Sequence, residues 1–147
     1  MTQLHILSDL PGATVQDLGR AGWLHAGLAA GGARDQRALL EAAALLAQIT
    51  PQAALEIPQI AARFSVTQDC RIALTGAPMQ AEIDGAEAAW NQTHLLRAGA
   101  ILRLTPAGLG RYGYLSFAGG LRTKMVMGGR GWMVSAGIGD ALRAGAT

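Results

Sequence analysis

Along most of the chain, apolar and polar residues alternate in short runs punctuated by Gly, Pro and Asp, and only one stretch changes to helical spacing. From about Asp35 to Ile49, Leu39, Ala42, Ala43, Leu46 and Ile49 recur three or four positions apart. That spacing predicts an amphipathic helix whose apolar stripe packs on a core, with Asp35 as its N-cap and Thr50-Pro51 as its stop. Strands are predicted at Leu4 to Leu7, Ala54 to Ile57, Arg63 to Val66, Arg71 to Thr75, Ala81 to Ile83, His94 to Arg97, Ile101 to Leu104 and Tyr112 to Ala118. Asp84-Gly85 and Ala98-Gly99 each separate two such runs and predict two tight hairpins. Many short strands and one helix point to a mainly β fold, a barrel or sandwich in a single domain over residues 1–147, with the helix covering an end or a face.

One internal echo bears on organisation. Leu96-Arg97-Ala98-Gly99-Ala100 recurs as Leu142-Arg143-Ala144-Gly145-Ala146. The first copy runs on into the strand Ile101-Leu102-Arg103-Leu104, whereas the second reaches Thr147. The second copy therefore reads as a turn without its returning strand. It predicts an open edge covered by a homodimer or another partner, and a chain that is the N-terminal part of a longer architecture.

Composition narrows the function. With 50% apolar and 15% charged residues the 147-residue chain is globular rather than disordered. One cysteine, Cys70, forms no internal disulfide, and His5, His25 and His94 have no ligand spacing, so a metal centre is not expected. No apolar run approaches the roughly 18 residues a bilayer requires, and no leader pattern is present, so a cytoplasmic location is expected. Residues 1–96 sum to a charge of −4 and residues 97–147 to +6. Such asymmetry marks either a surface for an anion or an acidic partner, or simply an Arg-rich solvated face. The few aromatics are not interleaved with the basic positions, which argues against nucleic acid.

Gly108-Leu109-Gly110-Arg111-Tyr112-Gly113 satisfies G-x-G-x-x-G, but a strand-like run follows it where a dinucleotide site needs a helix. No P-loop run is present. Ser8, Ser65, Ser116 and Ser135 lack a nucleophile-elbow setting, and Cys70 opens an apolar strand where an inert thiol is expected. The chemically dense stretch is Pro11-Gly12-Ala13-Thr14-Val15-Gln16-Asp17-Leu18-Gly19-Arg20, continuing through four more glycines to Arg34 and Asp35. It reads as an irregular polar rim, too long for a simple connection and hence a candidate site. The structural alternative is an Asp17–Arg20 ion pair bracing the loop, with Asp35 only a helix cap.

That stretch resembles the N-terminal signature of the biotin-dependent carboxyltransferase, or allophanate hydrolase subunit 2, family, whose members include the C subunit of 5-oxoprolinase. The likeness continues in order through Gly32-Ala33-Arg34-Asp35, Ala38-Leu39, Ala53-Ala54-Leu55-Glu56-Ile57, Thr75-Gly76-Ala77, Trp90, Arg97-Ala98-Gly99, and Gly110-Arg111-Tyr112 to Gly119-Gly120. The resemblance implies a cyclophilin-like β-barrel covering about the first half of a typical member. It also implies work beside an allophanate hydrolase subunit 1-like partner and a larger ATP-using subunit. The implied reaction is ATP-dependent opening of 5-oxoproline to glutamate, or carboxyl transfer from carboxybiotin to urea. The chain would then be a non-autonomous subunit of a hydrolase or carboxyltransferase, acting on a small amide or ureide. It would bind no cofactor alone, ATP and biotin being brought by partners.

Carried over to this chain, the implied roles are Gln16 and Arg20 as donors to a carbonyl or carboxylate, Asp17 and Asp35 as orienting or proton-handling groups, and Arg111 and Arg130 as anion-holding forks. The chain departs from the family pattern at Ala43, at Ala47-Gln48, and at Gly128-Gly129-Arg130-Gly131-Trp132, where the family carries Gly-Ser-Arg-Ser-Thr. The lost hydroxyls motivate a second reading, an inactive module that only docks a partner.

Overall fold

In the computed structural model, which describes residues 1–147, ten short strands pair into two antiparallel sheets. The strands are β1 (Leu4–Ile6), β2 (Thr14–Gln16), β3 (Ala54–Pro58), β4 (Ala62–Val66), β5 (Cys70–Gly76), β6 (Met79–Ile83), β7 (Ala86–Glu87), β8 (Gln92–Leu96), β9 (Leu102–Pro106) and β10 (Tyr112–Phe117). One helix, α1 (Gln36–Leu45), lies between β2 and β3 in the chain. One sheet has the order β1-β4-β9-β6-β7 and the other β2-β3-β10-β5-β8. The expected mainly β, one-helix architecture is present, with its strands grouped in two five-stranded sheets rather than one closed ring. No helix is long and apolar enough to cross a membrane.

Period-two alternation sorts the second sheet into two chemically different faces. Val15, Leu55, Ile57, Ile72, Leu74, Leu115 and Phe117 turn toward Phe64, Leu102 and Leu104 of the first sheet and form the main core. The opposite face carries the register row Thr14↔Glu56↔Tyr114↔Thr75. Helix α1 covers this polar row, packing Ala38 and Leu39 against Ala54 and Tyr114, and the Thr75 hydroxyl donates to the Ala38 carbonyl at 2.9 Å.

Several expectations hold, and others are corrected. Asp35 caps α1, its Oδ1 accepting from the Ala38 amide at 3.2 Å. The helix ends at Leu45, short of Ile49, because Ala47 takes a left-handed conformation (φ 54°). Gln48 N donates to Ala43 O at 2.8 Å and Ala47 N to Ala44 O at 3.1 Å, the paired bonds of a Schellman stop. Ile49, expected on the buried stripe, is fully exposed. Asp84-Gly85 forms the predicted hairpin turn, both residues having positive φ. Ala98-Gly99 is a turn, closed by Ala100 N to Arg97 O at 3.0 Å, but it does not make a hairpin. It carries the chain from β8 in one sheet to β9 in the other, so that Leu96 and Leu102 meet in the core.

The second copy of the echo is not left unpaired. Gly145 N donates to Ile6 O at 2.9 Å and Ile6 N to Ala146 O at 3.0 Å, so the outer edge of β1 is bonded there by the chain itself. An open edge at this point, the basis for expecting a homodimer, is therefore absent. Thr14–Gln16, expected within the irregular rim, is an edge strand because Val15 is drawn into the core.

Candidate functional site

The rim doubles back on itself, and glycine is what lets it. Arg20 N donates to Ala30 O at 2.6 Å and Ala33 N to Asp17 O at 2.8 Å. At this closeness a Cβ on Gly19 would lie 2.5 Å from Ala30 O, and one on Gly32 2.8 Å from Gly19 N.

Onto this folded loop the structure clamps a segment more than a hundred residues away. Arg20 is 2% exposed, its Nε donating to Val126 O at 2.9 Å and its Nη2 to Gly131 O at 2.7 Å and Gly129 O at 3.2 Å. Met127-Gly128, both with positive φ, form the two-residue turn closed by Val126 and Gly129 above that guanidinium. Asp17 Oδ2 accepts from the Arg130 amide at 2.6 Å and Oδ1 from the Gly19 amide at 2.9 Å. Gln16 Nε2 donates to Trp132 O at 3.0 Å and to Thr14 Oγ1 at 3.1 Å, and Trp23 Nε1 to Met127 O at 3.0 Å. Asp17 and Arg20 do not form the ion pair considered as a structural alternative: each is spent on backbone groups. The Arg20 guanidinium faces carbonyls of the chain and not open space, unlike the substrate donor expected.

Four of the six expected residues thus converge, Gln16, Asp17, Arg20 and Arg130. The Arg130 guanidinium turns back to donate from Nη1 to the Thr123 carbonyl. Gln16 Oε1 is buried without a partner, as is Ser116 Oγ. A Cβ on Gly131 would lie 2.7 Å from Gln16 Oε1, so a serine there would place a hydroxyl beside the orphaned oxygen.

The other two, Asp35 and Arg111, belong to a second cluster at the start of α1. Buried Glu56 accepts from Tyr114 Oη at 2.7 Å and from the Arg34 amide at 2.7 Å, both on Oε2. Tyr114 Oη in turn accepts from the Asp35 amide at 2.9 Å. Burial and then the hydrogen bond to Glu56 hold the Tyr114 phenol protonated well above its ordinary range. Arg34 Nε lies 3.9 Å from Glu56 Oε1. The guanidinium carbons of Arg34 and Arg111 stand 5.4 Å and 5.7 Å from the centroid of one ring, that of Tyr112. Asp35 spends its carboxylate on the helix cap. Sequence reasoning missed Glu56, Tyr114 and Tyr112. The available signal was a lone Glu inside the apolar run Ala53 to Ile57, since a carboxylate at such a position must find donors.

Residues 26–147 match the family described as carboxyltransferase domain, subdomain A and B. The chain belongs to this family. Among curated relatives it is 34% identical over 117 residues to the 5-oxoprolinase C subunit of Haemophilus influenzae, covering 80% of this chain and 38% of that protein. It is 37% identical over 129 residues to the 5-oxoprolinase C subunit of Escherichia coli, covering 86% of this chain and 41% of that one. The chain therefore spans about two fifths of the length of these relatives. Among solved structures, TTHA0988 superposes with a TM-score of 0.91 at 28% identity, over 98% of this chain and 54% of that one. The Kluyveromyces lactis urea amidolyase superposes at 0.81 and 25% identity, over 86% of this chain and 8% of that one. Within this carboxyltransferase family chain, the matched span holds Arg34, Asp35, Glu56, Arg111, Tyr114 and Arg130, whereas Gln16, Asp17 and Arg20 precede it.

Proposed function

We propose that this chain acts as a non-autonomous subunit of an ATP-dependent complex that opens 5-oxoproline to glutamate. Its partners would be an allophanate hydrolase subunit 1-like protein and a larger subunit that uses ATP. The observation that carries this reading is its colinear similarity to the 5-oxoprolinase C subunits of two bacteria across four fifths or more of its length. Those names favour ring opening over the other branch, carboxyl transfer from partner-borne carboxybiotin to urea.

Opening a lactam moves negative charge onto the carbonyl oxygen and leaves a carboxylate to be held throughout, so the site wants fixed donors and guanidinium groups. In this reading Arg111 holds the carboxylate. Asp17 fixes the backbone of Arg130, and Arg20 holds the 126–131 turn in place beneath it. The polar rim carrying these groups would face the partner subunit. Gly108 to Gly113 leads into strand β10 and not into a helix whose N-terminal amides could meet phosphates, and in this reading ATP is used by the partner.

A second reading, a docking module without catalytic duty, is favoured by one specific feature: Gln16 Oε1 lies orphaned beside Gly131, where the family pattern supplies a serine. Co-expression with the two neighbouring subunits, followed by a 5-oxoproline assay with ATP, separates the two. Turnover that needs the chain, and that falls at least tenfold in Asp17→Ala with the complex intact, supports the enzymatic role. A tight complex whose turnover is indifferent to the chain assigns it to docking.

A further inference from the structure

We propose that the apolar cavity beside β1 and β2, the first edge strand of each sheet, is a contact surface for the remaining portion of this family's longer chain, which fills it with apolar side chains. The inference concerns how the subunit is assembled and does not depend on which reaction the complex performs.

The cavity measures about 600 Å³. Its inner wall is the main core itself: Ile6 of β1, Val15 of β2, Leu55 of β3, Val66 of β4 and Phe117 of β10. Leu121 and Leu142 close its sides and are only partly buried against that core. Its polar members Thr2, Gln3, Arg122, Thr123 and Thr147 are all exposed at the rim. A small ligand is oriented by a few polar groups placed inside its pocket, and this interior offers none; apolar side chains of a polypeptide fit it better. A second observation points the same way. Residues 121–147 form no strand, and none of their large apolar side chains, from Leu121 and Met125 through Trp132 and Ile138 to Leu142, is buried. Apolar groups left uncovered over a contiguous stretch mark an interaction surface, and this stretch borders the cavity at both of its ends. The curated relatives supply the occupant. Their matched part is 38% and 41% of their length, and Met1 and Thr147 both stand in the cavity wall. In a longer chain of the family, polypeptide beyond either terminus therefore sets out at the cavity mouth, where covalent connection gives it a high effective concentration.

Cys70 is the only cysteine and lines the cavity, so it reports occupancy. The test compares the 147-residue chain with a chimera in which it replaces the matched segment of the Escherichia coli 5-oxoprolinase C subunit. Iodoacetamide labelling of Cys70, resolved by peptide mass spectrometry, is expected to be at least about tenfold slower in the chimera, with slower amide exchange across residues 117–123. Leu142→Glu puts a carboxylate into the contact and is expected to restore most of the labelling in the chimera, while changing that of the 147-residue chain by no more than about twofold. Leu109→Glu, on the exposed turn before the other end of β10, is expected to leave the protection intact. If the chimera is insoluble, the same labelling is read on the two portions co-expressed as separate chains. Undiminished labelling in both formats overturns the proposal, and so does protection that survives Leu142→Glu. Protection that arises in the 147-residue chain alone as its concentration rises gives the cavity to a second copy and overturns it as well.

Discussion

Gly131 shows how much one absent side chain can decide. With no Cβ, its backbone comes close enough to Gln16 that the Gln16 carboxamide can bond Trp132 O and Thr14 Oγ1 while Oε1 is left without a donor. A buried acceptor without a partner costs about 1–3 kcal/mol. Gly131→Ala adds a Cβ 2.7 Å from that oxygen and must displace the carboxamide, so a loss of about 2 kcal/mol in urea unfolding is expected. Gly131→Ser adds the same Cβ together with a hydroxyl that can donate to Oε1. It is expected to lose roughly 1 kcal/mol less than the alanine variant, and equal losses would remove the orphan acceptor as the explanation. At this scale the sequence pointed to Gln16, Asp17 and Arg20 by their density in a glycine-rich run. It could not say that Arg20 would be buried under carbonyls from residues 126–131, because nothing local links positions so far apart.

At the scale of elements, α1 was visible in the spacing of its apolar residues, yet its end was not. Thr50-Pro51 is a stop signal by sequence, but the chain has already turned at Ala47, three residues earlier, into a Schellman closure that normally falls on glycine. A Cβ in the left-handed region costs about 1 kcal/mol. Ala47→Gly is thus expected to stabilise the protein by about that much and to raise Tm by roughly 2–4 °C, measured by thermal denaturation. An unchanged or lower Tm would mean that the entropy of the added glycine in the unfolded chain outweighs the relief. The turn at Ala98-Gly99 makes the same point for strands: its local chemistry was read correctly, while the sheet to which each flanking strand belongs was set by where Leu96 and Leu102 could be buried.

For the whole molecule, the helix and the second sheet are joined through a polar row as well as an apolar contact, with Tyr114 at its centre. Because Tyr114 stays protonated in the folded state above its ordinary pKa of 10.0, the unfolded chain releases that proton first as pH rises. Stability contributed by this group is intact below that value and is lost as pH climbs through it. Tyr114→Phe, which leaves the Asp35 amide and Glu56 each short of one partner, is expected to cost about 1–3 kcal/mol at neutral pH. The gap between wild type and variant should shrink from about pH 9 to about pH 11 in denaturant titrations. A gap that widened over that range would contradict the assignment.

By itself the sequence determined what depends on neighbours along the chain. The strand alternation, the helix with its Asp35 cap and the Asp84-Gly85 turn were all legible, since local sterics and periodicity write them directly into residue order. Only the tertiary structure decided which distant groups meet: the division into two sheets, the clamp between the rim and residues 126–132, and the gathering of Glu56, Tyr114, Arg34 and Arg111 around the start of α1. Those meetings follow from burying two faces of one sheet at once, a global condition that no short window of sequence contains.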